Sequence, residues 1–232
     1  MIERGLYDSL MISISRERLE AYRRDGDDDL ATIANYFWNI ELSEALYPIL
    51  QAFEIALRNS IHASLTSHFG DPFWFDQPGF LLDWQADAVS NAKEVLDKRK
   101  RPRDPGRIVA ELHFGFWHSM FNRPYEDQIW HTNQAEILRQ VFPHMPRTMR
   151  TRKNVWNRVD RIRRLRNRVF HYEPVWANAG LKDEVLAIHE LLAMISPPLE
   201  AVVALSERFS RILDDGSPRT KSKLIGLLDL PQ

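Results

Sequence analysis

Apolar residues recur at three- and four-residue spacing along most of this chain, and glycine and proline separate the recurring stretches. This pattern predicts amphipathic helices joined by short breaks, because residues three and four positions apart share one helix face. Alternating apolar and polar runs rich in β-branched residues, which predict strands, are scarce. The sequence therefore predicts an all-α fold.

The predicted helices of the N-terminal third are Ser13–Arg24, Leu30–Ile40 and Glu41–Phe69. Ser15 is placed to cap the first helix and Asp29 the second, because short oxygen-bearing side chains accept hydrogen bonds from free N–H groups at helix starts. Pro48 predicts a kink or a new first turn in the third helix, since proline cannot donate a backbone hydrogen bond.

Further helices are predicted at Trp84–Lys98, Gly106–Phe121, Ile129–Phe142, about 150–172, Leu181–Ile195 and Leu199–Leu213. Gly106–Phe121 carries apolar residues nearly all round, so we expect it to be central or to form an interface. The aromatic run Phe73–Phe75 is expected to fill the core. Residues 1–215 are predicted to form a single domain, followed by a flexible tail over residues 216–232.

Composition excludes several classes of protein. The 232 residues include no cysteine, which rules out disulfides and thiolate metal sites. No apolar run approaches the roughly 20 residues that span a bilayer, and the N-terminus lacks the basic-then-apolar pattern of a secretory signal. These features predict a cytoplasmic protein without a membrane partner.

The formal net charge of −1 conceals an uneven distribution of charge. Between Arg150 and Arg168 there are nine Arg or Lys residues and one acidic residue, Asp160. A basic helix of this kind is either a solvated face or a surface that binds a polyanion. Side chains predicted to lie largely away from its apolar stripe, and to contact RNA, are Arg158, Arg161, Arg164 and Arg168.

Arg166, Asn167 and His171 lie at the end of the same predicted helix. Histidine can take and give a proton near neutral pH, and arginine offers a permanent cation that matches phosphate oxygens. A five-residue separation places Arg166 and His171 about 140° apart around an ideal helix. Either the last turn is loosened or a second chain completes the cleft. A histidine that merely caps the helix C-terminus is the alternative to a catalytic role.

The run Arg166-Asn167-Arg168-Val169-Phe170-His171 resembles the R-x4-6-H motif of HEPN domains, including the polar residue after the arginine. Three segments also resemble the Abi-like abortive-infection family: 38–59 (WNIELSEALYPILQAFEIALRN), 106–117 (GRIVAELHFGFW) and 162–174 (IRRLRNRVFHYEP). The resemblance covers roughly residues 14–213.

This resemblance implies an all-α, HEPN-like helical bundle with additional N-terminal helices. It also implies a homodimer, and a metal-independent endoribonuclease that acts as a toxin in phage defence by abortive infection. Arg166 and His171 would be catalytic, Asn167 would orient them, and no cofactor or metal would be needed. RNA, such as tRNA, would be the substrate, and an antitoxin or a phage trigger would be a partner. Some HEPN toxins carry a modified tyrosine two residues after the histidine, where this chain has Glu173.

Two charged residues on the long helix with the apolar stripe are candidates for a supporting role in the site. Glu54 and Arg58 are four residues apart and can pair with each other. Alternatively, Glu54 contacts Arg166 or a neighbouring arginine and supports its position in the site. His113 and His118 lie in an apolar segment and are expected to be core or interface residues.

Two other functions compete with the ribonuclease. A nucleic-acid-binding module could use the same basic helix, with binding that depends steeply on salt and without turnover. A regulatory HEPN-type dimer could instead dock a partner through Gly106–Phe121. The presence of both Arg166 and His171, rather than arginines alone, favours the enzyme.

Overall fold

The computed structural model describes the backbone of residues 2–228 and, within that range, all side chains except those of residues 2–4, 127–128 and 131–135. The described chain contains helices and no strand, which confirms the all-α prediction. In chain order the α-helices are Ile2–Ile14 (α1), Arg16–Glu20 (α2), Asp29–Phe69 (α3), Asp83–Lys98 (α4), Pro105–Glu111 (α5), Phe114–Ser119 (α6), His131–Val141 (α7), Arg152–Phe170 (α8), Leu181–Ile195 (α9), Pro197–Ala204 (α10) and Phe209–Leu228 (α11).

Short 3₁₀ turns occur at Trp74–Asp76, Arg123–Tyr125 and Arg147–Met149, and a π-helical turn, Glu126–Trp130, precedes α7. None of the described helices is both long enough and apolar enough to cross a lipid bilayer.

The chain divides into two compact units. The first unit comprises the residues up to Pro48, Leu165–Val185 and the residues from Leu205 onward, and the second comprises Ile49–Arg164 and Leu186–Ala204. Helices α3, α8 and α9 each contribute residues to both units. The sequence pattern contains no sign of this division, and its prediction of one domain over residues 1–215 stays a prediction.

The N-terminal helices of the first unit differ in their bounds from the predicted helix Ser13–Arg24. Helix α1 ends at Ile14, and α2 begins after Ser15, whose hydroxyl accepts a hydrogen bond from the Arg18 N–H at 3.3 Å. Ser15 is therefore the predicted cap, but it starts a helix of five residues. Tyr7, Leu19 and Ile33 are buried together in one apolar cluster of this unit.

Helix α3 joins two segments that were predicted separately. It runs for 41 residues, and the Asp28 carboxylate caps it by accepting from the Ala31 N–H at 2.6 Å, so the cap is Asp28 rather than Asp29. Pro48 lies inside the helix without ending it. Proline removes one backbone hydrogen bond, and the apolar contacts of buried neighbours such as Leu46 and Ile49 offset that loss.

The core of the second unit is rich in aromatic side chains. Trp74 and Phe75 are buried, as the sequence predicted for the 73–75 run. The predicted helix Gly106–Phe121 is instead two helices, α5 and α6, separated at Leu112 and His113. The His113 ring caps α6 by accepting from the Phe116 N–H at 3.3 Å. A side-chain acceptor at this point supports a new helix start, which periodicity does not reveal.

The apolar residues of this segment face the interior of the second unit, so its prediction as a central element agrees with the structure. The following side chains are buried: Ile108, Val109, Leu112, Phe114, Phe116, Trp117, Met120 and Phe121. A docking surface for a partner needs exposed apolar area, and these residues do not provide it.

The basic helix α8 follows the sequence pattern closely. Thr151 caps it, since its hydroxyl accepts from the Asn154 N–H at 3.2 Å. The predicted apolar stripe is buried along its whole length: Val155, Val159, Ile162, Leu165 and Val169. Helix α9 has the predicted bounds, Leu181–Ile195.

The C-terminal segment, for which the sequence predicts a flexible tail, makes ion pairs with residues far away along the chain. Residues up to 228 belong to α11, which is interrupted at Gly216, where φ is 67° and ψ is −177°. Beyond that break, the Lys221 ammonium pairs with Asp28 at 2.8 Å and the Lys223 ammonium pairs with Glu41 at 2.7 Å. The predicted tail 216–232 is thus helical as far as 228, and its last residues lie outside the described range.

Candidate functional site

The C-terminal end of α8 carries the predicted catalytic residues and closes with a Schellman motif. The His171 N–H still donates to the Asn167 carbonyl at 2.8 Å, as in a regular α-helix. The Tyr172 N–H then donates to the Val169 carbonyl at 3.2 Å, and the Glu173 N–H donates to the Arg168 carbonyl at 2.9 Å. These two bonds satisfy carbonyls that a helix end otherwise leaves free. His171 is consequently the last residue before the chain reverses.

The reversal places Tyr172 in a left-handed conformation with φ of 59°. This position of the motif usually holds glycine, because a Cβ atom there clashes with the backbone. The Tyr172 carbonyl accepts from the Arg18 guanidinium at 2.6 Å and from the Tyr22 hydroxyl at 3.2 Å. The ring itself is 72% exposed. The strained backbone therefore holds an aromatic side chain at the surface beside His171.

Substituting Tyr172 by glycine should raise the free energy of unfolding by about 1 kcal/mol, because glycine adopts this conformation without strain. The two hydrogen bonds to the carbonyl involve only the backbone of residue 172 and should persist. Urea denaturation of wild type and Tyr172→Gly measures the difference. A less stable variant would mean that contacts of the ring outweigh the backbone strain.

Asn39 anchors the chain immediately after this reversal. It is buried, its Oδ1 accepts from the Val175 N–H at 2.7 Å, and its amide donates to the Glu173 carbonyl at 3.4 Å and to the Tyr22 hydroxyl at 3.3 Å. Helical periodicity does not identify Asn39 as a functional residue. A polar residue among the apolar positions of α3 was the available signal, because a buried amide needs partners.

The His171 side chain is exposed at the end of α8. Among the described residues, none forms a hydrogen bond or an ion pair with its imidazole. Asn167 lies four residues earlier, so both side chains project from one side of the helix. Both nitrogens of the imidazole are thus open to a substrate.

Arg166 projects from a different side of the same helix. Its guanidinium lies over the Phe170 ring, 4.3 Å from the ring centroid, and Phe170 in turn contacts the Tyr47 ring at 5.4 Å. Because the backbone is regular up to His171, the angular separation of about 140° between Arg166 and His171 is retained. The sequence left two alternatives, a loosened last turn or a cleft completed by a second chain. The regular backbone disfavours the loosened turn.

The four arginines predicted to contact RNA differ in their surroundings. Arg161 is exposed, and the side chain of Arg164 is 65% exposed with a contact to Asp160 at 3.3 Å. Arg158 lies 3.4 Å from the Glu190 carboxylate. Arg168 donates to the Pro174 carbonyl at 2.5 Å, so it helps to hold the turn after His171. Arg161 and Arg164 are the better exposed candidates for phosphate contacts.

Glu54 and Arg58 lie half-buried on α3. The Arg58 guanidinium donates to the Asn59 side chain at 3.4 Å and to the Ala110 carbonyl at 3.5 Å. Their predicted supporting role, including the bracing of Arg166 by Glu54, stays a prediction.

A cavity of about 670 Å³ adjoins the end of α8 within the first unit. Residues from α2, from α3 and from the end of α8 line it: Arg18, Tyr22, Tyr36, Asn39, Ile40, Ser43, Glu44, Tyr47, Val169, Phe170 and Tyr172. Five of these side chains are aromatic. The sequence pattern did not predict this cavity, because its walls are far apart along the chain.

Two histidines of the second unit are sheltered from solvent. Burial lowers the pKa of His62, whose Nδ1 accepts from the Trp74 indole N–H at 2.9 Å. Burial also lowers the pKa of His118, and the nearby Arg163 guanidinium adds to that effect against the opposing Asp160 carboxylate. The prediction of His118 as a core residue is correct, whereas His113 is an exposed helix cap.

These two lowered pKa values predict that acid weakens the fold. In the unfolded chain the pKa of a histidine is near its ordinary value of about 6.5, so below that pH the unfolded state binds more protons than the folded state. The free energy of unfolding should therefore be greatest above pH 6.5 and fall as pH decreases through it. Urea midpoints between about pH 7.5 and about pH 5 measure the effect. A flat profile in this range would contradict the prediction.

Within the part of the chain that the structure describes, no cluster of three or more His, Cys, Asp or Glu side chains is arranged to hold a metal ion. Compared with known proteins, the chain matches no protein-family model, no curated protein and no solved structure. Its function is therefore inferred from the residues and geometry at the end of α8.

Proposed function

We propose that this protein is a metal-independent endoribonuclease of the HEPN type, similar to Abi-like proteins, that acts in phage defence by abortive infection. The observation that carries the proposal is the His171 imidazole, which is exposed and has no partner among the described residues, at the end of an arginine-rich helix five residues after Arg166. Cleavage of a phosphodiester by an internal hydroxyl requires a proton-transfer group and a fixed cation that act on the same phosphate.

The reaction uses the 2′-hydroxyl of RNA as its nucleophile. One imidazole removes the proton of the 2′-hydroxyl as its oxygen forms a bond to phosphorus. The bond from phosphorus to the 5′-oxygen breaks, and that oxygen receives a proton from an acid. The products are a 2′,3′-cyclic phosphate and a 5′-hydroxyl end. The Arg166 guanidinium stabilises the extra negative charge on the phosphorane, because its fork can donate two hydrogen bonds to phosphate oxygens.

A homodimer fits this chemistry better than a single chain. The reaction needs a base and an acid, and each chain supplies one histidine in the motif. On one regular helix, Arg166 and His171 project about 140° apart, so one chain presents them poorly to the same phosphate. Two helix ends that face each other across a groove would supply two imidazoles and two guanidinium groups. Asn167, on the same side as His171, would position the imidazole or a phosphate oxygen.

Basic side chains along α8 support RNA as the substrate. Exposed arginines such as Arg161 and Arg164 attract the phosphate backbone without regard to sequence, and a tRNA offers the phosphates of both double-stranded and single-stranded segments. The proposed site of action is the cytoplasm, where an antitoxin or a phage trigger would control the enzyme.

The proposal is tested by incubating purified protein with total RNA in the presence and absence of EDTA. Because side chains supply the acid, the base and the cation, we expect equal cleavage under both conditions, with 2′,3′-cyclic phosphate and 5′-hydroxyl ends. Cleavage that requires a divalent cation and leaves 5′-phosphate ends would contradict the mechanism. An absence of cleavage over the whole RNA population would overturn the proposal.

The exposed arginines of α8 also favour a second candidate, a nucleic-acid-binding protein without catalytic activity. In that case affinity would fall steeply as the salt concentration rises, since each phosphate contact releases a counterion. Wild type and His171→Ala would then bind RNA equally, and neither would cleave it.

A further inference from the structure

We propose that the aromatic cavity beside α8 binds one unstacked base of the RNA substrate, next to the phosphate on which His171 acts. This inference rests on the proposed function and names a substrate subsite for it. The cavity of about 670 Å³ falls in the size range of pockets that hold small ligands, which extends from roughly 300 to 1,000 Å³.

The lining of the cavity matches the flat faces of a base. Its aromatic walls come from Tyr22, Tyr36, Tyr47, Phe170 and Tyr172. Tyr47 and Tyr172 are 49% and 72% exposed, so a base can reach their rings from solvent. Proteins that bind single-stranded RNA hold bases by stacking them on such rings, and every base offers a face for this contact.

The cavity lining also includes a polar group that could bond to the edge of a base. The Ser43 hydroxyl lines the cavity, its oxygen is buried, and it has no hydrogen-bond partner among the described residues. Buried polar atoms in folded proteins nearly always have a partner, so this hydroxyl is available to bond to a ligand in the cavity. A hydroxyl can both donate to and accept from the edge of a base.

Charge at the rim also suits a nucleotide. The Arg18 guanidinium lines the cavity and bonds to the Tyr172 carbonyl, which keeps a positive charge at the opening. The acidic residue of the lining, Glu44, is paired with Arg208 at 3.1 Å. A phosphate attached to a bound base would therefore meet a cation without a facing unpaired carboxylate.

Two residues of the cavity wall are neighbours of the residues proposed for the chemistry. Phe170 forms part of the cavity wall and also supports the Arg166 guanidinium at 4.3 Å. Tyr172 is the residue directly after His171, and its strained backbone presents its ring to the cavity. Backbone strain of this kind is commonly retained where it serves a function. A base held here keeps its own phosphate close to His171.

The test uses full-length His171→Ala protein, which should bind RNA without cutting it, and single-stranded oligoribonucleotides with 2-aminopurine at successive positions. Stacking of 2-aminopurine on an aromatic ring quenches its fluorescence. We expect strong quenching at one position of the bound RNA. Adding Tyr47→Leu should remove this quenching and weaken binding about five- to a hundredfold, the effect of one lost stacking contact.

Further variants test whether the quenching and the affinity depend on the cavity. Trp84 is an exposed aromatic side chain that does not line the cavity, so Trp84→Leu should leave the quenching unchanged. Ser43→Ala removes one hydroxyl and little volume, and it should weaken binding severalfold without affecting the fold. The four nucleoside 5′-monophosphates serve as separate probes. Free nucleotides that bind as tightly as RNA would overturn the assignment to RNA.

The base-binding subsite and the ribonuclease activity can be contradicted independently of each other. If wild type cleaves RNA but Tyr47→Leu and Ser43→Ala change neither binding, quenching nor cleavage positions, the subsite is wrong and the ribonuclease stands. If wild type cleaves no RNA but the quenching depends on Tyr47, the ribonuclease is wrong and the cavity stands as a binding site for bases.

Discussion

Substitution of His171 by alanine is expected to lower the rate of RNA cleavage by about a hundred- to ten-thousandfold, the usual contribution of a general acid or base. The fold should be unaffected, because the imidazole is exposed and binds none of the described residues. The helix end is closed by backbone hydrogen bonds of residues 171–173, which alanine preserves. Cleavage of a labelled RNA and thermal unfolding by circular dichroism measure the two effects.

Arg166→Lys should produce a comparable loss of cleavage. Lysine retains the positive charge but lacks the planar fork that donates to two phosphate oxygens and stacks on the Phe170 ring. Combining the two substitutions should cost less than the product of the separate losses, because both act on one transition state. If the loss in the double variant equals the product of the two separate losses, the two residues act independently.

His144→Ala is the matched control for these variants. His144 is also exposed, and its structural contact is a backbone hydrogen bond from its N–H to the Met194 carbonyl, at 3.0 Å. Its substitution should change neither cleavage nor stability. If His171→Ala behaves like His144→Ala, His171 is only a helix cap and the proposed mechanism fails.

Asn39→Ala should lower the free energy of unfolding by about 2–3 kcal/mol and also impair cleavage. The substitution leaves the Val175 N–H without its acceptor at 2.7 Å and frees the Glu173 carbonyl from the Asn39 amide. A buried donor without a partner costs its full desolvation free energy, which exceeds the net gain from an ordinary hydrogen bond. The segment that follows His171 should then move more freely, which lowers the rate through the position of the imidazole.

Asn35→Ala provides the comparison for Asn39. Asn35 is equally buried on α3, and its amide donates to the Tyr22 carbonyl at 2.9 Å and to the Asp27 carboxylate at 2.8 Å. Its loss should also destabilise the protein but should leave the cleavage rate per folded molecule nearly unchanged. Denaturant midpoints and cleavage rates well below those midpoints distinguish the two variants. Equal cleavage by both would mean that Asn39 is structural only.

Local sequence was sufficient to predict α8, α9 and α4. In α8 an apolar stripe, a capping threonine and a proline beyond the end agree with one another, and the helix begins and ends close to the predicted residues. Agreement among independent local signals leaves few alternative conformations.

Other helix boundaries depended on contacts that helical periodicity does not reveal. Pro48 is tolerated inside α3, and the His113 side chain starts a new helix within a segment that is apolar throughout. Residues 217–228 are helical, and Lys223 pairs with Glu41 of α3. At Pro48 and in residues 217–228, tertiary packing outweighed a local preference, which is worth only about 1–3 kcal/mol at a single position. At His113 a local side-chain cap decided the boundary.

The sequence by itself determined the all-α class, the basic helix and the order of Arg166, Asn167 and His171 along it. These properties follow from helical periodicity and residue chemistry, which act over a few neighbouring positions. Only the tertiary structure decided that Tyr172 turns left-handed, that Asn39 holds the chain after His171, and that tyrosines from α3 enclose a cavity beside α8. The physical reason is that these features depend on contacts between residues far apart along the chain, 136 positions in the case of Asn39 and Val175, and side-chain packing selects such partners only when the chain is folded.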